Sequence, residues 1–427
     1  MRDVLQGGSY GILPPGDSYD DALPITFLRA TEMMPNLKVD LASCYRVARE
    51  YFNPKARAKV GDVLLAVKGA TIASGKSVAI IEDDPGEAVI NGSIFRMSFK
   101  DSILPKFAAV VLDSQLLKQQ MRLGLVANNG VDYLDKPLIH SLIFPAAKKE
   151  TQRQIVAIYD EAAKRFHAAT DEAAKLLAGI DEYLLSELGI TLPPEPENTI
   201  ANRVFMAQRG DLAGWRFDPY YFGGKFHLLD EALRKARFIP TSLSSLYLSI
   251  NNGIDCRDFV EDGIPYAKVA DVKPFKIDLG TAQKVPAASV PDRGLVKRGD
   301  LLLTRKGTFG VAAVVDTDSR FAVSSEVFRI HTDTSKALAD FLAILLNSSV
   351  CQAQFDRQKI GAIMGSLTQA SLRRITLPLP PIQKQKEICD SVAVVQSQAL
   401  LLRLQAQNEF DVAKRQIEAL LLGEVTV

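Results

Sequence analysis

The sequence predicts a mixed α and β (α+β) protein built twice over: two similar globules separated by two long antiparallel coiled-coil helices, forming a pseudo-twofold internal repeat. Three observations predict it. Segments recur in the same order at a lag of roughly 235 residues, too long for a solenoid and right for a duplicated domain. Each copy carries short β-type apolar runs punctuated by Gly, Pro and Asp. Each copy then closes on a proline-free stretch whose apolar residues step by three and four.

The repeat can be followed element by element. LRATEM from Leu28 lines up loosely with AKVADV from Ala267, and GDVLLAVKG at Gly61–Gly69 returns as GDLLLTRKG at Gly299–Gly307. Phe95-Arg96 returns as Phe328-Arg329, and FAAVVLDS from Phe107 as FLAILLNS from Phe341. LIFP ending at Pro145 precedes QRQI (Gln152–Ile155), as LPLPP around Pro380 precedes QKEI (Gln385–Ile388). The expected boundaries are a globule over 1–147, a helix over 148–190, a linker over 191–212, a second globule over 213–381 and a second helix over 382–425. Residues Trp215 to about Ser244 have no match in the first copy, so the first domain is expected to be trimmed or to begin at an internal start.

The helical seams are explicit. Ile155, Ile158, Ala162, Phe166, Ala169, Ala173, Leu176, Ile180 and Leu184 form one. Ile388, Val392, Val395, Ala399, Leu402, Ala406, Ala413, Ile417 and Leu420 form the other, with a phase slip near Phe410. At 1.5 Å per residue each helix is roughly 50 Å long. One small globule cannot cover such a seam. The helices are therefore expected to pack on each other, and the chain order globule, helix, globule, helix favours an antiparallel pair with a globule at each end.

Composition narrows the class. Of 427 residues, 51 are Lys or Arg and 50 are Asp or Glu, which excludes a polycation and an acidic disordered tail. Charge can still be segregated onto one face. The four cysteines at 44, 256, 351 and 389 lie too far apart in sequence to suggest a disulfide framework or a zinc site, as suits a reducing cytoplasm. No apolar run approaches the 18 or so residues of a membrane span, and MRDVLQGGSYG lacks the apolar centre of a signal peptide.

The ordered set of motifs resembles the specificity (S) subunit of type I restriction-modification systems. The residues that carry the resemblance are Pro380, Pro381, Gln385 and Ile388 in a PP-x-x-x-Q-x-x-I stretch, GIPYAKVADV at Gly263–Val272, the GD-x-L-L-x-x-x-G stretch at Gly299–Gly307, and NSS at Asn347. It covers most of the chain and is strongest from Ile254 to Ile388. The first helix departs from the pattern, opening on PAAKKETQRQI, two residues longer and without the double proline. The resemblance implies that each globule is a target recognition domain and that the chain is a non-catalytic reader of double-stranded DNA. It further implies partnership with two adenine-N6 methyltransferase (modification) subunits and a restriction/translocase subunit. Two different globules at a fixed distance would read two short sequences across an unread gap, with helix length as the ruler.

For DNA contact the segments after each GDxLL run are the candidates. In the first globule these are Lys68, Thr71, Ser74, Lys76, Asn91, Ser93 and Arg96; in the second, Arg298, Arg305, Lys306, Thr308, Ser324, Ser325 and Arg329. Cations would grip phosphate, while Asn, Ser and Thr could read base edges. The competing explanation is that exposed strand ends carry such residues anyway. The second globule holds five more basic than acidic residues and the first is neutral.

Other chemistry is weaker. ATIASGKS, Ala70–Ser77, fits a relaxed phosphate-loop pattern, and supports an alternative reading as a P-loop nucleotide-binding protein with a coiled-coil dimerisation arm. Such a loop must lead into a helix. VAIIEDD, which follows, reads as a strand. DPYY at Asp218–Tyr221 is a partial match to the adenine-holding DPPY motif, but no glycine-rich cofactor loop accompanies it. The histidines at 140, 167, 227 and 331 have no metal-ligand spacing. The sequence makes no positive case for an enzyme, a cofactor or a metal. A purely structural coiled-coil scaffold is the third reading.

Overall fold

The computed structural model describes residues 1–68, 77–128, 131–194, 196–197, 199–204, 206, 219–359 and 365–424. The chain divides into two compact units, Met1–Glu172 with Leu401–Val427, and Ala173–Leu400, here lobe one and lobe two.

Lobe one contains β1 (Leu5–Tyr10), β2 (Ile25–Leu28), β3 (Tyr45–Val47), β4 (Val63–Ala66), β5 (Val78–Ile80), β6 (Ala88–Ile90), β7 (Ile94–Phe99), α1 (Pro105–Asp113), α2 (Gln115–Leu123), β8 (Val126–Asn128), β9 (Val131–Tyr133) and α3 (Lys136–Ser141). A four-stranded sheet runs β1-β7-β4-β5 and a three-stranded one β3-β2-β6, with β2 parallel to β6. The GDVLLAVKG run is continuously apolar because β4 is covered on both faces. Val63 and Leu65 join the core with α1, whereas Leu64 and Ala66 join Ile25, Phe27 and Val89 of the smaller sheet.

After the helices α4 (Lys149–Leu188) and α5 (Ile200–Arg203), lobe two repeats the plan. It adds α6 (Gly224–Arg234) and β10 (Pro240–Ser242), then β11 (Tyr247–Asn252), β12 (Ile264–Ala267), β13 (Val272–Lys273), β14 (Lys276–Ile277), β15 (Lys284–Val285), β16 (Leu301–Thr304), β17 (Ala312–Val314), β18 (Ala322–Val323) and β19 (Val327–Thr332). The helices α7 (Ala339–Leu346), α8 (Ser349–Gln358) and α9 (Gln369–Leu372), β20 (Thr376–Pro378) and α10 (Ile382–Leu422) close the chain. Its sheets run β11-β19-β16-β17 and β15-β12-β18, again with a parallel pair, β12 with β18. Helix α6 and strand β10 fall in the stretch for which the sequence offers no repeat. There α6 buries Phe226, Leu229 and Leu233, and β10 pairs with β20.

The duplication extends to backbone detail. Gly61 (φ 87°) and Gly299 (φ 88°) make the same left-handed turn into β4 and β16, where a Cβ would be strained. Gly11 and Gly253 pass so close to a neighbouring strand end that a Cβ would lie 2.0 Å from the Ile90 carbonyl oxygen and 2.2 Å from that of Val323.

Each long helix is anchored to its globule by one buried glutamine. Gln152 accepts from Leu104 N at 2.8 Å and donates to the carbonyls of Ser102 and Ala147. Gln385 accepts from Leu338 N at 2.8 Å and donates to those of Lys336 and Pro380. The motif glutamine therefore satisfies backbone groups that the incoming chain would otherwise bury unpaired.

Each lobe combines the start of one long helix with the end of the other, the antiparallel order expected from the repeat. In lobe one Phe410 packs against Tyr159 and Phe166, at ring separations of 5.4 and 5.5 Å, where the α10 seam slips phase. Glu418 accepts from Gln115 N at 2.6 Å, capping α2. In lobe two Asp181 does the same for α8 through Ser349 N at 2.8 Å, and Lys384 pairs with Glu187 at 2.6 Å.

Candidate nucleic-acid interface

In both lobes the central strand of the smaller sheet leads into a short 3-10 turn, Ala30–Glu32 or Val269–Asp271, capped by a cation and ending in an acid. In lobe one, Glu32 is buried and accepts from Arg29 N at 2.8 Å and from its Nη2 at 2.6 Å. In lobe two Asp271 accepts from Lys268 N at 2.8 Å. The acid satisfies the orphan N–H of the turn and fixes where the cation stands. The bond to Glu32 also raises the Arg29 pKa.

The cation then lies over an aromatic face. Arg29 Cζ is 4.1 Å from the centre of the Tyr45 ring, itself stacked on Tyr19 at 5.4 Å. Lys268 Nζ is 4.2 Å from the centre of the Phe259 ring and also meets Gln283 Oε1. Tyr45 and Phe259 are both exposed large rings. A half-exposed cation beside an aromatic face suits a phosphate and its sugar.

Exposed cations continue along these sheets. Arg46 lies on β3, and Arg49, Lys55, Arg57 and Lys59 follow it. Lys273, Lys276 and Lys284 lie on β13, β14 and β15. Arg49 pairs with Glu87 at 2.6 Å, an exposed contact of little stability value.

The residues singled out from sequence fall into three groups. Lys68, Arg298, Lys306 and Thr308 are exposed. Lys68 Nζ stands 5.9 Å from the centre of the Tyr133 ring, and Lys68 and Lys306 bridge to Tyr133 and Ser366 at the same place in each lobe. Arg298 makes two bonds to Asp318, at 2.9 and 3.0 Å, which raise its pKa.

The second group builds backbone. Asn91 Oδ1 accepts from Ser93 N and its hydroxyl, Ser324 Oγ accepts from Glu326 N, and Ser325 N donates to the Ile254 carbonyl. The third group is half-buried and has partners within the fold. Arg96 pairs with Asp62 at 3.0 Å, Arg329 meets the Leu295 carbonyl with Asp300 at 3.9 Å, and Arg305 donates to the carbonyls of Ser325 and Leu367. Burial outweighs Arg96 and holds the Asp62 carboxyl above its ordinary pKa. Thr71, Ser74 and Lys76 lie outside the described residues. The structure thus brings together Asn91 with Ser93 and Arg305 with Ser325, and gives the arginines partners within the fold.

Sequence reasoning missed Arg29, Tyr45, Lys268 and Phe259 as a recurring site. The signal was present in the loose match of LRATEM to AKVADV: a cation three residues before an acid, directly after an apolar run.

Strand β5 directly follows the Gly-Lys-Ser segment, where a phosphate loop requires a helix. Tyr221 and Phe222 of the DPYY region are buried, and Tyr220 bonds to Asp356; Asp218 lies outside the described residues. Among the described residues no group of three or more His, Cys, Asp or Glu side chains could hold a metal ion. No described helix is long and apolar enough to cross a membrane.

Residues 292–409, which run from lobe two into α10, match the family model described as the type I restriction modification DNA specificity domain. The chain is 27% identical over 153 residues to the type I restriction enzyme EcoBI specificity subunit of Escherichia coli, a match spanning 35% of this chain and 32% of that protein. Among solved structures, a chain described under complex assembly and conformational transition of the type I R-M system is 14% identical. It covers 98% of this chain and 97% of its own, with a TM-score of 0.48. The HsdS subunit from Thermoanaerobacter tengcongensis is 13% identical, covering 100% and 96%, with a TM-score of 0.37. The type I restriction-modification S subunit from M. genitalium is 11% identical, covering 98% and 93%, with a TM-score of 0.39.

Proposed function

We propose that this chain is a DNA specificity subunit of a type I restriction-modification complex, non-catalytic itself, that reads a bipartite duplex site. Partner methyltransferase and restriction subunits then methylate adenine N6 or cut. The observation that carries this reading is the recurrence, in a chain with a type I specificity domain, of one sheet plan bearing different exposed side chains. Arg29 and Tyr45 in lobe one answer to Lys268 and Phe259 in lobe two. Equal scaffolds with unequal surfaces suit two different half-sites. In this reading the domain limits are those given by the sequence, with 1–147 and 213–381 as the reading domains and α4 and α10 as the spacer.

Phosphate contact falls to the half-buried Arg29 and Lys268 and to the exposed Arg46, Lys284 and Lys306, with Lys68, Arg298 and Thr308 beside them. Asn91, Ser93, Arg96, Ser324, Arg305 and Arg329 hold the loops in shape. The test is to map N6-methyladenine in DNA exposed to the chain and its methyltransferase subunit, then to delete one helical turn from both α4 and α10. The expected result is the same two half-sites with a shorter gap; an unchanged gap rejects the spacer, and absence of any sequence preference rejects the reading.

A further inference from the structure

Lobe two has a groove of about 330 Å³ where α10 meets its globule. Phe275, Val314, Ala343, Ile344 and Val392 give it an apolar floor, and Asp316, Asp340 and Asp390 stand on its rim. Among the described residues no lysine or arginine nitrogen lies within 4.0 Å of these three carboxylates. Arg298, whose field reaches Asp316, is bonded to Asp318 instead. Burial, then Asp340 and Asp390, push the thiol of neighbouring Cys389 up to about 12.

The repeat supplies a built-in comparison. Val314 pairs with Leu301 as Ile80 pairs with Val63, so Asp316 corresponds to Glu82. FLAILLNS matches FAAVVLDS, so Asp340 corresponds to Lys106, and the paired glutamines set Ala393 against Asp160. In lobe one Lys106 Nζ sits 2.7 Å from Glu82 and 2.8 Å from Asp160, closing the place from within. In lobe two that lysine is replaced by an aspartate, a third carboxylate stands one turn earlier on the helix, and the place is open.

We propose that the lobe-two groove receives a lysine or arginine side chain of a partner protein, with its flanking apolar residues, where Lys106 sits in lobe one. The groove has the floor for an aliphatic stem and the rim for its charge. Its carboxylates are not grouped as a metal site would require. The two lobes therefore offer unequal docking places, one filled by the chain and one filled in the assembly. The inference rests on the functional reading above and takes the methyltransferase subunit as that partner.

The experiment measures affinity of the full chain for the purified methyltransferase subunit at low and high salt. Combined D316N, D340N and D390N substitution is expected to weaken binding about tenfold or more and to flatten its salt dependence. D340K, which supplies the cation internally, is expected to weaken binding similarly while raising Tm. Glu82→Gln with Asp160→Asn in lobe one should leave affinity within about twofold. Carbodiimide treatment should join Asp340 or Asp390 to a lysine of the subunit. If the wild type binds and the triple variant binds equally well, the groove inference falls and the functional reading stands. If the wild type does not bind the subunit, both fall. Magnesium or calcium binding to the isolated chain that is lost in the triple variant, with subunit affinity unchanged, would make this a cation site and overturn the proposal.

Discussion

Lobe one and lobe two share a plan but hold it together with different strength at corresponding points. Arg96 reaches Asp62 at 3.0 Å, whereas Arg329 stands 3.9 Å from Asp300 and turns to the Leu295 carbonyl instead. The glutamine anchors, by contrast, are equivalent bond for bond. The difference teaches that the constraint lies where backbone must be satisfied, and that side-chain pairs were free to drift once the sheet was fixed. A carbonyl or N–H has one position for a given fold; a guanidinium has several.

The anchors give the largest expected effect. Gln152→Leu and Gln385→Leu each strand one N–H and two carbonyls, and each should lose about 4 kcal/mol in urea unfolding. Unequal losses would break the equivalence of the two helix openings. Next come the acidic partners. Asp62→Asn leaves Arg96, whose Nε already lacks a partner, as a buried charge, and should cost about 3 kcal/mol. Asp300→Asn should cost about 1 kcal/mol, because Arg329 keeps the Leu295 carbonyl. Equal values would show that the two pairs are the same interaction after all.

Smaller effects sharpen the contrast at the surface. Arg29→Ala and Lys268→Ala should each weaken binding to methylated-site DNA about tenfold, each shifting preference only at its own half-site. Arg29→Lys should retain more binding than Arg29→Ala, since it keeps a cation beside Glu32 and over Tyr45, while the backbone bond to Glu32 survives in both. Least of all, Lys306→Ala in the more basic lobe should lower affinity a fewfold and reduce the salt slope by about one, uniformly across sequences. A loss confined to one sequence would instead mark Lys306 as a base reader.

Much of this was legible in the chain. The lag of roughly 235 residues and the ordered GDxLL, FxxxxLxS and QxxI matches indicate the duplication, and proline-free three-four spacing indicates α4 and α10. Residue type alone does not tell what a side chain already engages. Arg96, Arg329 and Arg305 carry the charge expected of DNA contacts, and a buried aspartate or a carbonyl beside each engages it, as buried Glu32 engages Arg29. Asn91 and Ser324 have the donors of base readers, yet a tight turn uses them. Meanwhile Arg29 and Lys268 were hidden in the loosest of the matches, because Tyr45 and Phe259 come from different positions along the chain.

The amino-acid order by itself determined the repeat, the elements and the continuous apolar runs of β4 and β16, because periodicity and apolar content are local properties that chain neighbours express. Only the tertiary structure decided which cations remain exposed, that a lysine closes lobe one where lobe two is open, and which rings Arg29 and Lys268 cover. Those outcomes depend on partners far apart in sequence, and pairing energies fall off within a few ångströms of contacts that no linear spacing encodes.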